Sequence, residues 1–472
     1  MRIGGRRLLL AGAVLMVATT NAAAQAPPAP TPTPTQTAPP VVPPAVAPPP
    51  VTSPESRVFA KVLSVEDAVT IALETQPNIK ARISDYVAAA FRVDQALSPL
   101  FPQITGAFTA AATRSASSSQ NPSTSFIPGG SRRTVTTYTE TPFDPVVARI
   151  SLSQMIFDFG KNFASTEAAR KLADVALEDT ELQRQLVTQT VKESFTNINF
   201  AVRLIQVNQQ AVERAELNLR SARGFFEVGT RPKSDVARAE VDVANAKLDL
   251  IRARNAERLA RVALATAMGL PATTPLLIQD NLLYQPVTLD RTRLAEDALR
   301  QRPEYRQVRL TAEANDARVR RAFRDFFPDI TGGGFYGATR GDLNEAWEIN
   351  LNLNWTIFDG GNRIARYREA RANLDASQAR VKAAELDISR EVEQSVISVI
   401  EADERIQAAQ VAVASAQENF RLAQGRFDAG VGTILELTDA QLALTQAQNT
   451  EAQALADYRI ALARLDRAVG RR

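Results

Sequence analysis

The sequence predicts an α+β membrane protein made of two tandem structural repeats. Each chain is expected to supply four strands to a trimeric, 12-stranded transmembrane β-barrel, which long coiled-coil helices continue as a tunnel. Three observations predict this fold class. The second half of the chain repeats the first, one segment alternates apolar and polar residues over the length of a strand, and each half contains a proline-free helical stretch of about 67 residues.

The repeat is visible in short boxes of phenylalanine, aspartate, proline and glycine. Phe157-Asp158-x-Gly160 recurs as Phe358-Asp359-x-Gly361, which is 201 residues later. Nearer the N-terminus, Phe101-Pro102 recurs as Phe327-Pro328 with a spacing of 226 residues. The difference of 25 residues indicates an insertion in the first repeat, between these two boxes.

The composition excludes several kinds of site. The chain has no cysteine and no histidine, which removes disulfides, catalysis by either side chain, and the two commonest soft metal ligands. It also removes the cysteine that an N-terminal lipid anchor requires. The net charge of +3 is spread along the chain without a basic block, so no nucleic-acid partner is expected. The sequence predicts neither an enzyme nor a bound cofactor.

The N-terminal region is predicted to direct export. Residues 1–24 have the basic start, apolar run and small residues of a cleaved signal peptide, although the Arg6-Arg7 pair leaves twin-arginine export as a less favoured alternative. Residues 25–62 are rich in proline, alanine and threonine and predict a flexible linker. Repeat 1 is expected over residues 63–276 and repeat 2 over residues 277–472.

Each repeat is expected to begin with two helices. The first helix is capped by Ser64 in repeat 1 and by Asp290 in repeat 2. The second starts at a proline, Pro77 or Pro303, because proline suits the first turn of a helix.

Strands are expected next. Over residues 347–358 apolar and polar residues alternate strictly, with Trp347 and Trp355 near the two ends of the apolar face. Tryptophan favours membrane interfaces, so both residues are predicted to lie at the lipid boundary. The other strands are predicted at about 103–114, 146–157 and 329–340, and residues 115–141 and 341–345 are predicted as the hairpin loops.

The remainder of each repeat is predicted to be a helical hairpin. Long helices are expected over residues 161–228 and 362–428, and shorter returning helices over residues 234–268 and 434–469. Apolar residues follow a heptad pattern in the long helices, which is typical of coiled-coil packing. Glycines mark the turn of each hairpin.

The strand count predicts self-association. A sheet with a lipid-facing side cannot keep open edges in a membrane, and four strands are too few to close a barrel. Three copies would supply 12 strands, whereas two copies would supply 8 and leave little or no lumen. The alternative is a soluble periplasmic coiled-coil scaffold without a pore, which the alternation over residues 347–358 argues against.

The chain resembles the TolC family of outer-membrane efflux proteins. The resemblance rests on the repeat, on residues 98–102 (SPLFP), on the Phe-Asp-x-Gly boxes, and on the two hairpin turns over residues 228–236 and 429–436. It covers nearly all of residues 63–470. It implies a homotrimer in outer-membrane lipid, with a periplasmic tunnel that docks a periplasmic adaptor and an inner-membrane pump. The implied role is the passage of drugs, metals or secreted proteins outward.

The resemblance also implies a gate at the periplasmic end. Two acidic side chains narrow the tunnel in family members, and here the matching positions are Glu436 and Asp439. Residues three apart lie on one helix face. Thr433-Ile434-Leu435-Glu436 is also a capping-box pattern. An alternative, compatible with the gate, is that the Glu436 side chain accepts a hydrogen bond from a backbone amide at the helix start. Arg231, Asp235 and Arg238 are candidates for a lock in which an arginine reaches an acid of a neighbouring helix.

The hairpin turns are the candidate surface for docking the adaptor, since they are the part of the tunnel that faces it. Their residues are Gly229, Thr230, Arg231, Gly430, Val431, Gly432 and Thr433. The simpler interpretation, which is compatible with docking, is that the glycines serve only to reverse the chain.

Overall fold

A computed structural model describes residues 62–110, 113–119, 137–143, 146–280, 282–339 and 344–471. The predicted signal peptide (1–24) and all but the last residue of the predicted linker (25–62) lie outside the described residues. The same order of elements occurs twice: two helices, strands, a long helix and a returning helix.

The first half contains α1 (Val65–Thr75), α2 (Pro77–Leu97), β1 (Gln103–Ala110), β2 (Thr113–Ser119), β3 (Thr137–Phe143), β4 (Val146–Phe157), α3 (Lys161–Glu227) and α4 (Lys233–Ala267). The second half contains α5 (Arg291–Gln301), α6 (Pro303–Arg324), β5 (Asp329–Thr339), β6 (Asn344–Asn354), α7 (Asn362–Asp428) and α8 (Ile434–Val469). In the described part of the chain, no helix is both long and apolar enough to cross a membrane.

The first helix of each half is capped as its sequence indicates. The Ser64 hydroxyl accepts a hydrogen bond from the Asp67 amide at 3.1 Å, and the Asp67 carboxylate accepts one from the Ser64 amide at 3.3 Å. Asp290 accepts from the Arg293 amide at 3.3 Å. These bonds satisfy amide groups that would otherwise have no partner at a helix start.

The strands form a four-stranded antiparallel sheet in the order β1-β4-β5-β6. Within the described residues, β1 and β6 each pair on one side only. The prediction of a loop over residues 115–141 is wrong at both ends, because β2 and β3 pair with each other there as a separate ribbon. Their serine and threonine content allowed either structure, and threonine favours strands.

The predicted strand over residues 347–358 also needs correction. β6 begins at Asn344, inside the predicted short loop, because Thr339 still offers it a partner. It ends at Asn354, opposite Asp329, the first residue of β5. Pro328 precedes that residue and has no amide hydrogen, so the ladder stops there. The last residues of the alternating segment, Trp355 included, therefore follow the strand. The predicted strand over residues 103–114 is likewise shorter, since β1 ends at Ala110.

The helices pack as one layer. The long helix α3 contacts α2 and α4 along one side and α6 and α8 along the other. The second long helix, α7, packs against α6 and α8. The outer positions of the layer are therefore occupied by α2 and α4 at one edge and by α7 at the other.

Two apolar cores lie between the helices of this layer. One surrounds Phe195 and Ile198 of α3 and includes residues of α1 and the end of α4. The other surrounds Tyr458 of α8 and includes Val396 and Ile406 of α7. Each core thus belongs to one half of the chain.

A partly buried charge network joins α6, α7 and α8 beside the second core. The Arg302 side chain is only 4% exposed and lies 2.6 Å from Glu391 and 3.0 Å from Glu304. Arg467 lies 2.9 Å and 3.2 Å from the same two carboxylates. Burial opposes ionisation of Glu304, but its bonds to Arg302 outweigh that effect and lower the pKa of Glu304. The network balances two cations against two anions, as burial of charge requires.

Candidate functional site

The two helical hairpins end in matching glycine turns. Gly229 follows α3 with φ of +76°, and Gly430 follows α7 with φ of +77°. Glycine adopts this left-handed conformation without steric cost. In the first turn the backbone amide and the hydroxyl of Thr230 both donate to the Phe225 carbonyl, at 3.0 and 2.9 Å. In the second, the amides of Val431 and Gly432 donate to the Arg426 carbonyl at 3.0 and 2.8 Å.

Gly432 also allows a close approach of the chain to itself. A Cβ at this position would lie 2.9 Å from the Phe427 nitrogen and 3.0 Å from the Arg426 carbonyl carbon. A larger residue would push the turn away from the end of α7. Thr433 then caps α8, because its hydroxyl accepts from the Glu436 amide at 3.2 Å.

Arg231 connects the two turns. One guanidinium nitrogen of Arg231 donates to the Gly432 carbonyl, across 201 positions of sequence. The guanidinium carbon lies 4.5 Å from the centre of the Phe427 ring and 6.0 Å from that of Phe225. The Arg231 side chain is 13% exposed, so these contacts are largely shielded from water. The first turn is therefore attached to the second within a single chain.

The predicted arginine lock has a different geometry from the one expected. Arg231 forms its ion pair with Asp235, at 3.6 Å, and Asp235 is four residues along in α4. The acid therefore belongs to the helix that Arg231 itself introduces, while the contacts to the other hairpin are a carbonyl and an aromatic ring. Arg238 is exposed, and the described part of the chain offers it no ion-pair partner.

Two phenylalanines at this site were not selected from the sequence as site residues. The Phe225 and Phe427 rings meet edge to face at 5.6 Å, and Phe427 is fully buried with Leu437. Their sequence signal is weak, since an aromatic residue in the last turn of a helix is ordinary. Together with Arg231 they form a compact contact between the hairpins.

The two candidate gate carboxylates lie on the exposed face of the first turns of α8. Glu436 is 49% exposed, and one carboxylate oxygen lies 3.6 Å from Arg426 of α7. Of the predicted capping box, the structure shows the Thr433 half only. Asp439 is exposed, and among the described residues it has no ion-pair partner. The pair therefore presents one partly neutralised and one free negative charge to solvent.

Both tryptophans are exposed, one within the sheet and the other directly after its last strand. Trp347 lies within β6 opposite Tyr336 and is 68% exposed. Trp355 follows β6 and is 56% exposed, and its indole nitrogen donates to the Phe326 carbonyl at 3.2 Å. The second indole is thus fixed to the segment that links α6 to the sheet.

No cluster of acidic residues in the described ranges has the geometry of a metal site. The site consists of turns, exposed charges and an interhairpin contact. Such an arrangement can bind a partner or control passage.

Comparison with known proteins places the chain in a family. The model of the outer membrane efflux protein family matches residues 68–270 and 294–471. Nodulation protein T of Rhizobium leguminosarum bv. trifolii is 24% identical over 331 residues, which cover 68% of this chain and 70% of that protein. The probable efflux pump outer membrane protein TtgC of Pseudomonas putida is 23% identical over 304 residues, covering 61% of this chain and 59% of TtgC.

Solved structures show the same fold. The outer-membrane channel OprN superimposes with a TM-score of 0.72 at 20% sequence identity, covering 86% of this chain and 89% of OprN. The family model matches both halves of the chain and most of its length. The chain therefore belongs to the outer membrane efflux protein family.

Proposed function

We propose that this protein is the outer-membrane exit duct of a tripartite export system. It is a passive channel that receives small molecules or proteins from an inner-membrane pump and a periplasmic adaptor. The observation that carries the proposal is an open sheet whose apolar face lies uncovered in the single chain. Residues along that face of β6 are largely exposed, as illustrated by Ile349 at 82% and Leu351 at 69%.

The free sheet edges support assembly into a homotrimer. β1 and β6 lie at the two edges, and each pairs on one side only within the described residues. Unpaired backbone groups in hydrocarbon cost several kcal/mol each. Closure of three four-stranded sheets into a 12-stranded barrel removes all such edges.

The helical layer supports the same assembly. Its two outer positions expose apolar side chains that no other described element covers. At one edge α2 exposes Val87 and Phe91, and at the other α7 exposes Ile364 and Leu386, which is 73% exposed. Packing α7 of one copy against α2 and α4 of the next would bury both rows and close the layer into a tunnel.

The hairpin turns are the proposed docking surface for the adaptor, because the long helices α3 and α7 separate them from the sheet. Val228 and Val431 at these turns are 71% and 70% exposed. Membership of an outer-membrane efflux family favours this role over the soluble scaffold, as does the uncovered apolar face of the sheet.

Control of passage is proposed for the same end. Three copies of Glu436 and Asp439 would form rings of carboxylates, which favour cations and repel anions. Arg231 holds the two hairpins together beside these rings, so it is proposed to restrain opening. Export is proposed to follow cleavage of residues 1–24, and attachment to the membrane is proposed to need no lipid anchor, since the chain has no cysteine.

The test is the mass and conductance of the detergent-purified mature protein. A trimer that gives discrete steps in planar lipid bilayers is expected. A well-folded monomer without conductance would favour the soluble scaffold and overturn the duct. Steps from an oligomer of another size would retain the channel and overturn the 12-stranded barrel.

A further inference from the structure

A cleft of about 290 Å³ lies between α6 and α7, close below the sheet. The last two turns of α6 supply Arg318 and Arg321, and the second turn of α7 supplies Arg366. Asp325 and Glu369 also line the cleft. Three cations therefore face two anions, which leaves one positive charge in excess.

None of the three arginines forms an ion pair in the described structure. Within the described residues, none of them has a carboxylate within ion-pair distance, although Arg320 on the same helix lies 2.9 Å from Glu167 and 3.4 Å from Asp316. Arg318 is held in place by a hydrogen bond of 3.0 Å to the side-chain oxygen of Asn315. Asn315 is itself buried and bonds to Ser377 of α7. The Arg318 guanidinium is thus held in place by Asn315, and Arg321 and Arg366 line the same cleft.

Paired strand residues and aromatic contacts show which side of the helical layer continues the apolar face of the sheet. Directly paired residues project to the same face, so Ile150, Tyr336 and Trp347 share the apolar face. At the lower end of that face Phe157 pairs with Ile330. The Phe157 ring meets the Phe159 ring at 4.7 Å.

This line of rings continues onto the helices. Phe159 stacks on Phe327 at 5.2 Å, Phe327 meets Phe323 of α6 at 5.9 Å, and Phe323 meets Tyr367 of α7 at 6.1 Å. The apolar face of the sheet and the side of the helical layer that carries Phe323 and Tyr367 are therefore continuous.

The cleft opens on the opposite side of the layer. Arg321 is two residues from Phe323, and Glu369 is two residues from Tyr367. Two residues correspond to about 200° around a helix, so these side chains project away from the rings. In a transmembrane barrel the apolar face meets lipid and the polar face meets the water-filled lumen. The cleft consequently faces the lumen, an assignment that rests on the function proposed above.

We propose that this cleft binds tetrahedral oxyanions, such as inorganic phosphate or a phosphate or sulfate group on a molecule in transit. Arginine presents a planar fork of donors that matches two oxygens of such a group, and three nearby forks favour a multiply charged anion over chloride. In a trimer the duct then has carboxylates at its tip and arginines below the membrane. Anionic cargo that has passed the tip meets a favourable site just before the barrel.

The test is block of potassium chloride current by inorganic phosphate at constant ionic strength. Wild-type channels are compared with the triple variant Arg318→Gln/Arg321→Gln/Arg366→Gln and with Arg320→Gln. The last is a matched control, because Arg320 belongs to the same helix but is ion-paired to Glu167 and Asp316. The half-blocking phosphate concentration is expected to rise at least about tenfold in the triple variant, since three charge-assisted hydrogen-bond donors are lost together. Arg320→Gln is expected to behave as wild type.

Equal block in wild type and the triple variant would overturn the site while leaving the duct intact. If the wild type forms no channel, the proposed function fails, and calorimetry in detergent then decides the site. Phosphate binding to wild type but not to the triple variant would retain it, and no binding to either would overturn it. Oligomer mass and circular dichroism of each variant exclude misfolding as the cause.

Discussion

The guanidinium carbon of Arg231 lies 4.5 Å from the centre of the Phe427 ring, so a cation–aromatic contact joins the two hairpin turns. The same side chain donates to the Gly432 carbonyl and pairs with Asp235. A mostly buried guanidinium over a ring contributes about 1–2 kcal/mol. This contact would have to break for the hairpins to separate at the tip.

Replacing Arg231 is therefore expected to increase channel opening. In Arg231→Ala the bond to the carbonyl and the ring contact are both lost, and open probability in planar bilayers should rise about fivefold or more. Arg231→Lys should show an intermediate effect, because a lysine keeps the charge but not the planar fork. Arg238→Ala should have a smaller effect, because Arg238 is exposed and has no ion-pair partner in the described structure. Unchanged gating in Arg231→Ala, Arg238→Ala and the double variant would eliminate the lock.

Of the two carboxylates near this contact, Asp439 should contribute more to cation selectivity than Glu436. Glu436 is 3.6 Å from Arg426, whereas Asp439 has no ion-pair partner in the described structure. Asp439→Asn should therefore lower the cation-to-anion permeability ratio more than Glu436→Gln does, by a factor of about two to five, because a unit charge at 4 Å in water is worth about 1 kcal/mol. Reversal potentials in a salt gradient measure this ratio. A larger effect of Glu436→Gln would contradict the assignment of Asp439 as the principal lumen charge.

Adaptor docking at the turns can be tested with single cysteines, because the chain has none of its own. Val431→Cys and Thr230→Cys should crosslink to the adaptor. Val411→Cys is the matched control, since Val411 is 67% exposed, against 70% for Val431, but lies within α7, 17 residues before the helix ends at Asp428. Equal crosslinking yields at positions 411 and 431 would count against docking at the turns.

The network around Arg302 should make stability depend on pH. The pKa of Glu304 is lowered in the folded protein, so its contribution is complete above the ordinary carboxyl pKa of about 4.3 and is lost as pH falls through the folded value. Glu304→Gln should consequently unfold at a lower temperature than wild type at neutral pH, and the difference should shrink in acid. Arg302→Ala should cost about 1–3 kcal/mol, because the two partly buried carboxylates then share the single cation of Arg467. Equal melting temperatures of wild type and Glu304→Gln at neutral pH would show that the network contributes no stability.

The sequence predicts some of these features and not others, for physical reasons. The ends of α3 and α7 follow from Gly229 and Gly430, since local conformation alone requires a glycine there. The end of β6 at Asn354 does not follow from the local sequence. A strand ends where its partner ends, and the partner strand β5 begins at Asp329, directly after Pro328 in a different segment. An alternating pattern continues through Trp355 regardless of whether a neighbour is present.

The candidate site also combines features that the sequence could predict with one that it could not. Glu436 and Asp439 could be selected because the family resemblance points to two acidic positions at the start of the returning helix. The acceptor of Arg231 could not be identified, because the Gly432 carbonyl is a backbone atom and has no residue signature. Its position depends on how two hairpins that are 201 residues apart pack together. A search for acidic partners therefore finds Asp235 but not the carbonyl that joins Arg231 to the other hairpin.

The two tryptophans allow the membrane position of the sheet to be measured directly. Trp347 and Trp355 are the only tryptophans in the chain, so the intrinsic tryptophan fluorescence comes from β6 and the residue that follows it. Both side chains are more than half exposed in the single chain, and interfacial tryptophans lie at the level of the lipid headgroups. Lipids brominated near the headgroup should quench both single-tryptophan variants, Trp347→Phe and Trp355→Phe, more strongly than lipids brominated near the chain ends. Because Trp355 is fixed to the Phe326 carbonyl beside the helices, its quenching should come from the leaflet that faces the periplasm. Stronger quenching by lipids brominated near the chain ends would place the indoles in the middle of the bilayer and overturn their assignment to the interface.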